Sequence, residues 1–92
     1  MSAKVGLFAS LQQSAGVGEI RISASNVGSL LRQLTDRFPM IKSEVWEDER
    51  KLRLSERVKV MVNGRNIDFL DGLSTMLDEE DRVAIFPPVG GG

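Results

Sequence analysis

Cysteine, histidine and tyrosine are all absent from this chain of 92 residues. Without cysteine the protein can form neither disulfide bonds nor thiolate metal sites. Without histidine it lacks the commonest general acid–base side chain. The carboxylates, lysines and serines that remain are scattered, and their spacing predicts no active site. We therefore expect no autonomous catalytic centre in this chain and no bound cofactor or metal.

An excess of charge of one sign is also lacking, since 12 basic residues balance 13 acidic ones for a net charge of −1. The chain has no basic run, so its composition favours neither nucleic acid nor a membrane surface as partner. It has no apolar run long enough to span a bilayer and no signal-peptide pattern. The acidic run at 78–81 lacks the alternating ligand spacing of a calcium loop. We expect a cytoplasmic protein.

Period-two alternation of apolar and polar residues, which is typical of half-buried strands, recurs along the chain. It predicts strands at 4–9, 19–24, 57–62 and 82–86. Asn63-Gly64 is a strong signal for a two-residue hairpin turn, and a short strand at 65–68 follows it. The polar segment at 10–18 contains two glycines and is predicted to be a loop.

One amphipathic helix is predicted between the second and third strands. Asn26 is a good N-cap residue, and Pro39 cannot continue the helix. Between them, apolar side chains recur at helical spacing, namely Val27, Leu30, Leu31, Leu34 and Phe38. Residues 40–46 are predicted to form a second short helix or an apolar loop, and the charged run at 47–51 a solvated turn.

The resulting order is strand, strand, helix, irregular segment, strand, short strand, strand. One main helix on one face of a mixed sheet is an α+β architecture. This order matches the β-grasp fold of ubiquitin, in which the first and last strands lie parallel at the sheet centre. We predict a ubiquitin-like β-grasp domain over residues 1–86 and a flexible C-terminal tail over 87–92.

The tail itself is the most informative segment, because the chain ends in Phe86-Pro87-Pro88-Val89-Gly90-Gly91-Gly92. Glycine loses the most backbone entropy on ordering, so three glycines do not stabilise a fold. The two prolines favour an extended backbone at the root of the tail. A thin extended segment with a terminal carboxylate is suited to an enzyme tunnel that excludes side chains.

Four segments together resemble the MoaD-like small subunit of molybdopterin synthase, within the MoaD/ThiS group of ubiquitin-like sulfur carriers. The segments are Lys4-Val5-Gly6-Leu7-Phe8-Ala9, Val27-Gly28-Ser29-Leu30-Leu31, Val62-Asn63-Gly64 with Phe69-Leu70-Asp71-Gly72-Leu73, and Asp81 to Val89 followed by glycines. Two departures are visible. Gln12 and Gln13 stand where the family often has a basic–acidic pair, and Gly90 stands where it often has a side chain.

The resemblance implies a role for Gly92. An adenylating enzyme of the ubiquitin-activating type would use ATP to activate the Gly92 carboxylate, and sulfur would then displace AMP to leave a thiocarboxylate. The large subunit of molybdopterin synthase would direct that sulfur onto a pterin precursor, so this chain would be the small subunit of a heteromeric enzyme. Three alternatives stay open: a ubiquitin-like modifier conjugated through Gly92, a carrier for thiamine or another thiolated metabolite, and a β-grasp interaction module that carries no group.

Partner contacts are expected in two places. Along the tail, an enzyme channel would bind Pro87, Pro88, Val89, Gly90 and Gly91. On the sheet, Phe8, Met61 and Phe86 point away from the predicted core and would form an apolar patch, which usually marks a partner site. The alternative is that residues 40–46 cover this patch.

Overall fold

The computed structural model describes residues 2–87 of the chain. In chain order the elements are β1 (Ser2–Leu7), α1 (Ala9–Ala15), β2 (Glu19–Ser23), α2 (Val27–Arg37), α3 (Lys42–Val45), β3 (Trp46–Asp48), β4 (Arg53–Leu54), β5 (Lys59–Val62), β6 (Arg65–Asn66) and β7 (Arg82–Phe86). Single 3-10 turns cover Pro39–Ile41, Ile67–Phe69 and Gly72–Ser74. No helix in the described part of the chain is long and apolar enough to cross a membrane.

The main sheet has the strand order β2-β1-β7-β5-β6. β1 and β7 are parallel neighbours at its centre, with Val5 opposite Val83 and Leu7 opposite Ile85. The other neighbouring strands pair antiparallel. The predicted β-grasp fold, with its first and last strands side by side, is therefore confirmed.

One face of this sheet is covered by α2, which buries four of the five residues of the predicted apolar stripe, whereas Phe38 is the C-cap and is only partly buried against the core. Asn26 caps the helix as predicted, since its Oδ1 accepts a hydrogen bond from Ser29 N–H at 2.8 Å. A Cβ on Gly28 would stand 3.2 Å from Leu73 O, so glycine allows the helix to approach that segment closely.

The segment after α2 closes the core. Pro39–Ile41 and α3 form the short helical stretch that was one of the two predictions for this region. Ile41, Val45 and Trp46 are buried. The indole Nε1–H of Trp46 donates to Thr35 Oγ1 at 3.1 Å, and the Thr35 hydroxyl donates to Leu31 O at 3.0 Å. The buried polar atoms in this part of the core are therefore satisfied.

The predicted hairpin at Asn63-Gly64 is confirmed. Both residues have positive φ, 51° and 85°, as the two-residue turn requires. β6 is shorter than predicted, because residues 67–69 turn into a 3-10 helix that buries Ile67. The charged run at 47–51 lies partly in β3 and partly in the turn that joins β3 to β4.

The prediction of a loop at 10–18 is wrong, because α1 occupies Ala9–Ala15. This helix has no side-chain N-cap, and it ends at Gly16 in the left-handed conformation. Its one buried residue is Leu11, which is 0% exposed. Tertiary packing of that side chain, rather than a local signal, thus stabilises the helix. Ala9, predicted as the last residue of the first strand, instead has a φ of 51° and is the first residue of α1.

Candidate docking surface at the end of the last strand

The face of the sheet opposite α2 carries the side chains that alternate with the core residues. On β1 these are Lys4 and Gly6, and on β7 they are Arg82, Ala84 and Phe86, whereas their strand neighbours are buried. Phe8, which directly follows β1 and keeps an extended backbone, continues this alternation. We call this side of the sheet the open face.

Phe8 and Phe86 form a stacked pair on the open face. Their ring centroids are 4.6 Å apart and their planes differ by 12°. The two residues are neighbours because Leu7 and Ile85, one position earlier, are paired in the parallel register of β1 and β7. Phe8 remains 41% exposed and Phe86 38% exposed. The structure thus brings together two of the three residues predicted for the apolar patch and leaves their outer faces accessible.

Gly6 leaves the space into which the Phe8 ring folds. A Cβ at this position would stand 3.2 Å from Phe8 Cε2. Beyond the ring, a shallow pocket of about 210 Å³ opens on the sheet, lined by Lys4, Gly6 and Glu19 on one side and Arg82 and Ala84 on the other. Because Gly6 has no side chain, the Phe8 ring can lie over it, and a shallow pocket remains on the sheet surface beside the ring.

Met61, the third residue predicted for the patch, lies on the same face. It is half-buried on β5 and stands opposite Ala84, two residues along the strand from Lys59, which is paired with Phe86. Residues 40–46 do not cover the patch, because Ile41, Val45 and Trp46 of this segment pack into the core. We call Phe8, Met61 and Phe86 the apolar patch.

A row of basic residues crosses the open face beyond Gly6. Lys4 is in register with Arg21 on one side and with Arg82 on the other. Arg21 Nη1 lies 3.0 Å from Glu80 Oε1 in an exposed ion pair. The hydrogen bond from Arg21, together with its charge, lowers the pKa of the Glu80 carboxyl. Composition alone did not reveal this row, because it forms only when β2, β1 and β7 pair.

The acidic run before β7 builds the turn that precedes the last strand. Asp81 Oδ2 accepts from the Asp78 backbone N–H at 2.7 Å, and Asp81 Oδ1 accepts from Asn63 Nδ2 at 2.9 Å. Asn63 Oδ1 in turn accepts from the Arg82 N–H at 3.0 Å. Among residues 2–87, no group of three or more carboxylates is arranged to hold a metal ion.

Pro87, the first residue of the predicted tail, is buried against the domain. Pro88, Val89, Gly90, Gly91 and Gly92 lie outside the described residues, so their predicted contacts with an enzyme channel stay predictions. What the structure gives is the starting point of the tail. The chain leaves β7 directly beside the exposed Phe8–Phe86 pair, so a partner bound to the apolar patch would stand next to the tail's first residues.

These features define a class of protein: a β-grasp domain of the ubiquitin-like type, with an apolar patch on its open sheet face at the end of the last strand. The chain belongs to the ThiS family, whose model matches residues 5–92. The resemblance to MoaD/ThiS-type carriers that the sequence indicated is thereby confirmed.

Two relatives match along the entire chain. One is small archaeal modifier protein 3 of Haloferax volcanii, 34% identical over 95 residues and covering 100% of both chains. The other is a protein of Archaeoglobus fulgidus assigned as a sulfur carrier, 34% identical over 94 residues, again with 100% of both chains covered. This chain is thus similar both to a sulfur carrier and to a protein modifier.

Two solved structures share the fold. The solution structure of small archaeal modifier protein 1 from Methanosarcina acetivorans has a TM-score of 0.90 and 37% identity, and covers 99% of this chain and 96% of that one. A Pyrococcus furiosus protein assigned as molybdopterin converting factor subunit 1 has a TM-score of 0.76 and 32% identity, with 97% of this chain and 99% of that one covered.

Proposed function

We propose that this protein is a sulfur carrier that is activated at the carboxylate of Gly92 and donates sulfur in molybdopterin biosynthesis. The observation that carries the proposal is the position of the Phe8–Phe86 pair. Its rings are stacked with centroids 4.6 Å apart and are partly exposed. They lie at the end of β7, directly before Pro87. A partner docked on the apolar patch is therefore placed to receive the segment that ends in Gly92.

The chemistry follows from the state of the terminal carboxyl. With an ordinary pKa of about 3.5, it is ionised at neutral pH and is a poor electrophile. In the proposed first step, a carboxylate oxygen of Gly92 attacks the α-phosphorus of ATP and pyrophosphate leaves. In the second, a sulfide equivalent from a sulfur donor attacks the acyl carbon and AMP leaves, which gives the thiocarboxylate. Both steps take place on an adenylating enzyme of the ubiquitin-activating type, so this chain needs no catalytic side chain of its own.

The pterin assignment rests on two supports. The ending Phe86-Pro87-Pro88, followed by Val89 and glycines, resembles the end of the MoaD-like small subunits. In addition, the Pyrococcus furiosus neighbour is assigned as a molybdopterin converting factor subunit. The receiving partner in this proposal is the large subunit of molybdopterin synthase, which would bind the apolar patch and take the thiocarboxylate into its active site.

A second candidate function is favoured by the names of two similar proteins. The Haloferax and Methanosarcina proteins are both called small archaeal modifier proteins. In that case the acyl-adenylate of Gly92 would pass to lysine amines of other proteins through an amide bond. Both candidate functions share the adenylation step, and they diverge at the nucleophile that displaces AMP.

An ATP–pyrophosphate exchange assay with the host's adenylating enzyme tests the shared step. We expect exchange with the full chain, and none after deletion of Gly92 or addition of one residue beyond it. Exchange at the normal rate with either altered chain would overturn the proposal. The partner is tested separately: titration with the large subunit of molybdopterin synthase should perturb Phe8, Met61 and Phe86, and a modifier would instead give conjugates on lysines in the host.

A further inference from the structure

The second candidate surface of this protein is the outer edge of β2. β2 is the terminal strand of the five-stranded sheet, since the order begins β2-β1. The Leu7 N–H donates to Gly18 O at 2.9 Å, and these two residues continue the antiparallel register of β1 and β2. Because hydrogen-bonded pairs alternate along such a ladder, Ile20 and Ile22 turn their backbone groups toward β1. The backbone groups of Glu19, Arg21 and Ser23 therefore face outward.

A groove runs beside this edge, between β2 and the C-terminal half of α2. It has a volume of about 170 Å³ and is lined by Arg21, Ile22, Ser23, Gln33 and Arg37. Ile22 is 5% exposed and provides an apolar floor. Gln33 Nε2 donates to Ser23 O at 2.9 Å, so a side-chain amide already occupies one outward carbonyl of the strand. That contact shows that the edge is accessible to a donor from outside the sheet.

The charges around the groove favour an acidic occupant. Its lining includes Arg37 and no carboxylate; Arg21 also lines it, but the side chain of Arg21 belongs to the basic row on the open face. Glu80 pairs with Arg21. Asp36, the helix neighbour of Arg37, lies 3.8 Å from Lys42 Nζ. Arg37 forms no ion pair with any of residues 2–87 within the usual distance. The guanidinium of Arg37 is therefore available to a carboxylate from another chain.

We propose that the edge of β2 and this groove form a docking site for an extended acidic segment of a partner protein. The segment would add a strand to the sheet through the outward backbone groups of Glu19, Arg21 and Ser23, displacing Gln33. Its carboxylates would face Arg37. This site is separate from the apolar patch and does not depend on the chemistry of Gly92. A partner could therefore bind it while a second protein binds the tail.

The test uses the full chain, labelled with ¹⁵N, and three synthetic ten-residue peptides. The first alternates valine with glutamate, the second alternates valine with lysine, and the third is the glutamate peptide methylated at every backbone nitrogen. We expect the glutamate peptide to shift the amide signals of β2 and the side-chain amide of Gln33 saturably. The lysine peptide should bind at least about tenfold more weakly, and the methylated peptide should not bind, because it cannot donate backbone hydrogen bonds.

A matched pair of variants tests the charge. Arg37→Glu should weaken the glutamate peptide about fivefold, the size of an exposed charge interaction. Arg32→Glu makes the same charge change on the same helix, but Arg32 lines a different groove, so it should leave the affinity nearly unchanged. Equal effects of the two variants, equal binding of the methylated peptide, or shifts confined to the apolar patch would overturn the proposal. The proposal would also be overturned if the amide signals of β2 shifted with protein concentration in the absence of peptide. Such shifts would show that the edge binds a second copy of the chain.

Discussion

The rings of Phe8 and Phe86 stack 4.6 Å apart on the open face. Phe8 directly follows the first strand of the fold, and Phe86 is the final residue of the last strand. This contact reports directly on the parallel pairing of β1 and β7. Because both rings keep exposed outer faces, the pair contributes to the fold and also leaves an apolar surface that a partner is proposed to bind. The two roles can be separated by substitution.

Phe86→Asp should weaken partner binding far more than it weakens the fold. The loss of ring stacking costs about 0.5–1.5 kcal/mol, and the loss of the partial burial of the ring, which is 38% exposed, adds to it. For a domain of this size, a loss of about 1 kcal/mol lowers the melting temperature by roughly 4–8 °C. We expect a folded protein whose affinity for the two proposed partners, an adenylating enzyme and the synthase large subunit, falls at least about tenfold. Calorimetry and a titration with each partner measure the two effects.

Phe69→Asp is the control for that substitution. Phe69 is 86% exposed and lies in the 3-10 turn after β6, outside the apolar patch. The same change of side chain there should leave both melting temperature and affinity close to the starting values. Global unfolding of Phe86→Asp would show that Phe86 is a core residue, and an equal loss of affinity in both variants would remove the assignment of the patch.

The Arg21–Glu80 pair predicts a specific pH dependence. The Arg21 hydrogen bond, its charge and weaker contributions from Lys4 and Arg82 lower the pKa of Glu80. A depressed carboxyl pKa contributes stability above the unfolded-state value of about 4.3 and loses it as the pH falls through the folded-state pKa. Carboxyl ¹³C titration should place the Glu80 midpoint below its ordinary value. Arg21→Gln should raise that midpoint more than Arg82→Gln, and the reverse order would contradict the assigned cause.

The buried bond between Trp46 and Thr35 predicts a measurable loss of stability. Thr35→Val keeps the shape of the side chain but removes the acceptor of the indole N–H, which is 3.1 Å from Thr35 Oγ1. A buried donor left without a partner costs about 1–3 kcal/mol in free energy of unfolding. Urea denaturation measures this. Trp46→Phe removes the donor, so it should lower the free energy of unfolding less in the Thr35→Val background than in the original chain. Additive losses from the two substitutions would contradict the hydrogen bond.

Two glycines of the tail should respond differently to the same added methyl group. Gly90→Ala should be tolerated, because the resemblance to MoaD-like carriers implies that a side chain is accepted at that position. Gly91→Ala should lower kcat/KM for adenylation at least about tenfold, since the proposed narrow channel around the penultimate residue would leave no room for Cβ and a small displacement of the reacting carboxyl is costly. Steady-state kinetics on both variants test this. Equal tolerance at both positions would show that no tight channel surrounds Gly91.

The sequence predicted those parts of the fold whose signals are local. Alternation located β2 and β7 closely, Asn26 and Pro39 bounded α2, and Asn63-Gly64 placed the hairpin. It failed for α1, whose seven residues lack a capping side chain and whose helix depends on burying Leu11. Such packing is a tertiary effect that a short segment does not encode.

The candidate site was also only partly predictable. The outward direction of Phe8 and Phe86 follows from period two, and their adjacency follows from the fold class. Three features could not be predicted in this way. They are the shallow pocket beside Gly6, the basic row of Arg21, Lys4 and Arg82, and the groove at the edge of β2. Each depends on which strands are neighbours and in what register, and a shift of one residue in register moves every side chain of a strand to the other face.

Sulfur transfer through Gly92 is tested by the intact mass of this protein isolated from its own host, with fragmentation to locate any modification. We expect a species heavier by the mass difference between sulfur and oxygen, with the change at the C-terminal carboxyl of Gly92, and we expect this species to be lost in a host that lacks the adenylating enzyme. A chain that carries only an unmodified carboxylate while that enzyme is active, or a sulfur-dependent mass change located elsewhere in the chain, would contradict it.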